Sequence, residues 1–224
     1  FARALTGNEG DAGHETRGCA RAAYGPVKTG LSLAVTISFC EWDSFTSGGT
    51  TYVDPPPYDV KPDASVDRVL LLHSTTNSSC GGGASGWDLP GGFGWIDDDA
   101  AEDCTALVNI DQYETDPGTS ASQDCRTRLD ALADYPPDSP IFLPIYDGFQ
   151  GAGNGGTYHL KGFAAFILTG YSLPGMRQES WLTGRYPCNG ANKCLSGYFT
   201  RGLLPSGGVL GGPYLGAATV KLVS

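Results

Sequence analysis

Leu31-Ser32-Leu33-Ala34-Val35-Thr36-Ile37-Ser38-Phe39 is the stretch on which the fold turns. Apolar residues fall at every second position, with small or polar residues between them. Side chains on a strand alternate between two faces, so this pattern predicts a strand with one buried face and one small polar face. Glu41 and Trp42 are expected to end it.

The same reading extends outward along the chain. Val69-Leu70-Leu71-Leu72 is a short continuous apolar run, which suits a strand buried on both faces, and Leu107-Val108-Asn109-Ile110 suits another short strand. Ile141 to Tyr146 and Thr157 to Leu168 flank a glycine-rich segment. The second of these alternates up to Lys161 and is uniformly apolar after Gly162, which predicts a bulge at Gly162 or entry into a fully buried region. Ala217 to Val223 alternates again, with Ala218, Val220 and Leu222 on one side and Thr219 and Lys221 on the other. One segment reads as helix: Ser120 lies three before Gln123 in a capping-box pattern, and Cys125, Leu129 and Leu132 share a face. Pro136-Pro137 prevents its continuation. A second short helix is expected near Thr16 to Ala23. The fold class that follows is mainly β (α+β): one antiparallel-sheet-rich domain over 1–224 with one or two short helices, stabilised by disulfides.

Composition narrows the function. Charged residues are 17 % of the 224, against roughly 25 % in ordinary globular proteins. Aromatics at 11 % supply a core, so the chain is not an acidic disordered tail. A net charge of −10 without a Lys/Arg cluster argues against nucleic acid and anionic membrane surfaces as partners. No apolar run approaches the roughly 20 residues of a membrane helix. The chain opens on Phe1 rather than Met, which predicts that a segment was removed from its front.

The cysteines are Cys19, Cys40, Cys80, Cys104, Cys125, Cys188 and Cys194. No pair has C-x-x-C spacing and no His completes a zinc pattern, so disulfides in an exported protein are the better reading. Cys188 and Cys194 flank a tight polar loop, and Cys104 and Cys125 flank Asp116-Pro117-Gly118. These are the preferred pairs. One of Cys19, Cys40 and Cys80 is left over, as a free thiol or an intermolecular bond.

Several groups invite a chemical reading. Gly151-x-Gly153-x-x-Gly156 has the dinucleotide-loop spacing, but a strand-like segment follows instead of the helix that would receive a phosphate, so a hairpin loop is expected. No Ser has a nucleophile-elbow setting. Of His14, His73 and His159, the last could face Asp147 across that hairpin, as a base with its orienting carboxylate or simply as a polar residue on a half-exposed strand. Asp97, Asp98 and Asp99, with Glu102 and Asp103, offer hard oxygen ligands for calcium or form a solvated acidic turn. Asn77-Ser78-Ser79 fits a glycosylation sequon. Trp42, Trp87 and Trp95 lie in or near glycine-rich segments, and Trp87 and Trp95 are the candidate interaction aromatics, for a sugar or a partner. The competing reading is that such indoles plug the open side of a β core.

Leu89-Pro90-Gly91-Gly92-Phe93-Gly94-Trp95-Ile96-Asp97, Asp116-Pro117-Gly118, and the series Leu143-Pro144-Ile145-Tyr146-Asp147, Gly153 to Leu160, Gly162 to Phe166 and Thr169-Gly170-Tyr171 form an ordered set of blocks. In these the sequence resembles the exported portion of TadE/TadG-like proteins, the Flp-type pilus-assembly proteins of high-GC Gram-positive bacteria, over roughly residues 15–175. The resemblance implies a membrane helix ahead of an extracytoplasmic domain and a role in building or decorating a surface pilus, with no enzymatic activity; no cofactor is expected. This chain lacks the helix, and residues 1–25 read as the remnant of an N-terminal helical stalk. The expectation is an extracellular or cell-surface protein that meets other proteins, as a homo-oligomer or a pilus or filament component. A secreted binding module using Trp87 and Trp95 and a secreted hydrolase using His159 and Asp147 are the alternatives.

Overall fold

A computed structural model describes residues 21–71, 93–96, 104–111, 113–115, 122–135, 137–150, 157–189, 192–205 and 207–223. The protein is mostly β. Its strands are β1 (Arg21–Leu33), β2 (Val35–Ser38), β3 (Arg68–Leu71), β4 (Phe93–Trp95), β5 (Thr105–Asn109), β6 (Tyr113–Thr115), β7 (Ile141–Gln150), β8 (Thr157–Leu173), β9 (Met176–Gln178), β10 (Cys194–Thr200), β11 (Gly202–Leu203), β12 (Val209–Leu210) and β13 (Ala217–Val223). The described helices are α1 (Phe39–Thr46), α2 (Gln123–Leu132) and a 3-10 turn at Ala64–Val66.

Two sheets form. One runs β11-β13-β1-β12 with β5 also on β1, and the other runs β3-β10-β8-β7-β2-β4 with β6 and β9 also on β8. Pairing is antiparallel except for β2 with β7 and β11 with β13. One continuous core joins them, with Val27, Leu33 and Val108 from the first sheet and Ile37, Ile145 and Phe163 from the second. Contact is close at Gly162, where an added Cβ would lie 2.8 Å from Leu215. The indole of Trp42 donates to the Leu215 carbonyl at 2.9 Å and brings α1 onto the same spot.

The opening stretch is not one strand. Leu31 and Leu33 finish β1 in the first sheet, the chain bends at Ala34, and Val35 to Ser38 continue as β2 in the second. Ala34 donates to the Cys104 carbonyl at 2.9 Å and accepts from the Ile96 amide at 3.2 Å, so its own peptide groups join distant loops. The polar face is buried too: Ser32, Thr36 and Ser38 are enclosed, and Thr36 Oγ1 donates to the Pro144 carbonyl at 2.9 Å. Phe39 opens α1 instead of closing a strand, with Ser38 as N-cap accepting from the Cys40 amide at 3.2 Å. Glu41 and Trp42 are buried within that helix.

Other expectations shift as well. Residues 21–25 belong to β1, so neither a helix reaching Ala23 nor a helical stalk reaching residue 25 is present there. The expected residues 16–20 lie outside the described ones. β3 is buried on one face only, with Leu70 enclosed and Val69 exposed. Helix α2 is capped by Ser122, whose hydroxyl accepts from the Cys125 amide at 3.2 Å; Ser120 lies outside the described residues. At Gly162 both sequence expectations hold. The β7–β8 register shifts between Ile145 and Tyr146, which leaves Lys161 as an extra residue, and β8 is buried from Gly162 to Leu173.

Both preferred disulfides are present. Cys104–Cys125 ties the start of β5 to α2 with Cα atoms 4.5 Å apart, and Cys188–Cys194 closes the turn into β10 at 6.3 Å. Cys40 is also disulfide-bonded. Such bonds fit an oxidising environment.

Candidate functional site

The sequence-predicted pair does meet. The register of β7 and β8 shifts a second time between Tyr146 and Gly148, which makes Asp147 an extra residue on β7 as Lys161 is on β8. These two bulges turn Asp147 toward β8. His159 Nδ1 lies 2.5 Å from Asp147 Oδ1, and Lys161 donates to Asp147 Oδ2 at 3.2 Å. Lys161 also stands 4.2 Å from the Phe39 ring centroid. One carboxylate shared by two basic groups on a half-exposed surface is a staple across a double bulge, and this role accounts for the three side chains without a reaction.

Trp95 is 2 % exposed and Trp42 is buried, so these indoles fill the core and offer no binding surface. Trp87, the acidic run Asp97-Asp98-Asp99, His14, His73, Asn77 and the glycine segment 151–156 lie outside the described residues. Among the described residues no group of three or more His, Cys, Asp or Glu could hold a metal ion. No helix among them is long and apolar enough to cross a membrane.

The surface that stands out is on the first sheet. β13 pairs with β1 from Ala218↔Pro26 to Val223↔Arg21, whereas on its other side β11 meets only Ala217 and Ala218. From Thr219 to Val223 that second side has no strand among the described residues. A strand edge carries unpaired N–H and C=O groups that accept another strand. The exposed face beside this edge is apolar: Tyr24 pairs across with Val220 and Ala22 with Leu222, and Tyr24, Val220 and Leu222 are 65, 46 and 75 % exposed. Farther along β1, Leu31 pairs with Leu107 and both are exposed. The alternation in 217–223 holds only in part: Ala218 is buried on the side of Val220 and Leu222 and Lys221 is exposed on the side of Thr219, while Thr219 is buried and Val220 and Leu222 face water. Composition alone would place them the other way.

Sequence reasoning identified β13 but not its neighbours. The signal it carried was an apolar residue at every second position next to Lys221, a charge of the kind that keeps strand edges apart. No family model matches this chain, and no curated protein or solved structure matches it significantly.

Proposed function

We propose that this chain is a structural, protein-binding component of the bacterial cell surface, in keeping with its resemblance to TadE/TadG-like pilus proteins, and that it binds further copies of itself by strand addition at β13. The observation that carries the reading is the side of β13 at Thr219–Val223 that meets no strand among the described residues, beside exposed Tyr24, Val220 and Leu222. Strand addition takes its affinity from backbone hydrogen bonds and its specificity from alternate side chains. A contiguous apolar patch next to such an edge supports a protein partner, because exposed area of this kind gains free energy when covered. The disulfides support an extracellular setting. No catalysis is part of this reading.

The test is sedimentation of the oxidised protein over a range of concentrations, with electron microscopy of the same samples. The expected result is a mass that rises above the 23.4 kDa protomer with concentration, with filaments at the upper end. Leu222→Lys should return it to the protomer, since it adds a charge where apolar cover is needed. A protomer at every concentration and a field without filaments would overturn the proposal.

A further inference from the structure

A groove of about 700 Å³ opens between the two sheets and the end of α2. Its apolar wall includes Leu31, Leu132, Phe142 and Leu203. Small-molecule sites measure roughly 300–1,000 Å³ and pair an apolar lining with a few placed polar groups. The polar groups here are distinctive in sign. The chain carries 24 acidic residues against 14 basic ones, yet among the described residues the only charged side chains lining the groove are Arg128 and Arg201. Neither arginine is ion-paired with a carboxylate among the described residues. The Arg201 guanidinium lies 4.9 Å from the Tyr52 ring centroid, which restricts where its donors aim. The hydroxyl-bearing rings of Tyr24 and Tyr214 complete the wall.

From this geometry we infer that the groove is a binding site for an amphipathic organic anion, an aliphatic chain ending in a carboxylate. The chain covers Leu31 and Leu203, which are 55 and 57 % exposed to water. The carboxylate takes a guanidinium fork, whose paired N–H donors match its two oxygens. An uncharged chain would leave the guanidinium groups without that partner, and a short carboxylate would leave the apolar wall wet. The site shares Tyr24 with the β13 patch, but Val220 and Leu222 do not line it.

The experiment is calorimetric titration of the oxidised full chain with dodecanoate below its micelle concentration, with dodecanol and acetate as controls. Dodecanoate should bind once per chain. Dodecanol should bind about tenfold more weakly or worse, the loss of one charge-assisted hydrogen bond, and acetate should give no signal. Arg128→Gln and Arg201→Gln are both surface changes that leave the core intact. At least one should weaken dodecanoate about tenfold without changing the weaker dodecanol binding. Equal affinity for dodecanol and dodecanoate, unchanged affinity in the double variant, or binding only to anionic vesicles and not to monomeric dodecanoate would each overturn the assignment. Leu222→Lys should bind dodecanoate like the parent, so failure of the assembly reading and failure of this site are read separately.

Discussion

Asp67 follows the 3-10 turn and joins three segments through two short hydrogen bonds. Thr169 Oγ1 donates to one of its carboxylate oxygens and Ser180 Oγ to the other, each at 2.6 Å. A hydroxyl has one proton, so Thr169, once it donates to Asp67, accepts from Ser196 at 2.8 Å. Thr169 can reach Asp67 because the β8–β10 register shifts between Ser196 and Gly197, which makes Thr169 the extra residue. Asp67→Ala removes the acceptor of two enclosed hydroxyls and should cost about 2–4 kcal/mol in urea denaturation. Burial raises the Asp67 pKa above its ordinary value, and the hydroxyl donors pull it part of the way back. The folded state therefore holds this proton more tightly than the unfolded one. The resulting stability is present below the unfolded-state pKa and is lost as pH rises through the folded value. Measured against Asp67→Asn, the parent's relative stability should fall with rising pH from the ordinary Asp range near about 4 and then level off. A relative stability that climbs with pH would contradict the burial argument. Gly197 lies at the same bulge. A Cβ there would sit 2.1 Å from the Ile167 carbonyl oxygen, a backbone atom that cannot swing away, and 2.4 Å from the Phe166 ring. Gly197→Ala should lower stability by about 2 kcal/mol or more in the same assay.

Elements differ in how far local sequence dictates them. α2, β7, β8 and β13 were legible because their periodicity is local and their neighbours agree with it. The run from Leu31 to Phe39 was not, because its break is imposed at a distance by the peptide groups that Ala34 shares with Cys104 and Ile96. Its end did carry a local signal. Ser38 and Glu41 stand in S-x-x-E order, a capping-box pattern that a strong strand alternation obscured. The candidate site divides in the same way. β13 could be read as a strand, but the lack of a second neighbour along Thr219–Val223 among the described residues depends on how short β11 is, and the groove draws Tyr24, Leu132, Phe142 and Leu203 from separate parts of the chain. The disulfides show what elements gain from being tied. Loop-closure entropy grows with the span enclosed, which is 21 residues for Cys104–Cys125 and 6 for Cys188–Cys194. Replacing each pair by Ala should therefore cost about 3 and about 2 kcal/mol respectively in chemical denaturation. Equal losses would mean that strain or residual structure outweighs the span. At the β13 edge, Lys221 disfavours any antiparallel pairing of two copies that sets it opposite itself, because like charges then face each other. Lys221→Thr should shift self-association to lower protein concentration in sedimentation, opposite to the effect of Leu222→Lys.

At the scale of the whole molecule, two terms oppose one another. Covering Tyr24, Val220 and Leu222 favours association, while every protomer carries a net charge of −10 and repels the next. Repulsion between exposed charges is screened by salt, and the Debye length shrinks from about 30 Å at about 0.01 M to about 8 Å at about 0.15 M. Burial of apolar side chains and backbone pairing along Thr219–Val223 have no such dependence over this range. If copies meet through the β13 edge, raising the salt from about 0.01 M to about 0.15 M should strengthen self-association, and Leu222→Lys should remain dissociated at both concentrations. An interface built from ion pairs would respond in the opposite direction, since the same screening would weaken it. Sedimentation of parent and variant at the two salt concentrations separates these cases. Association that weakens with salt would place the contact on charged groups away from β13, and association of the variant equal to the parent's would remove Leu222 from it.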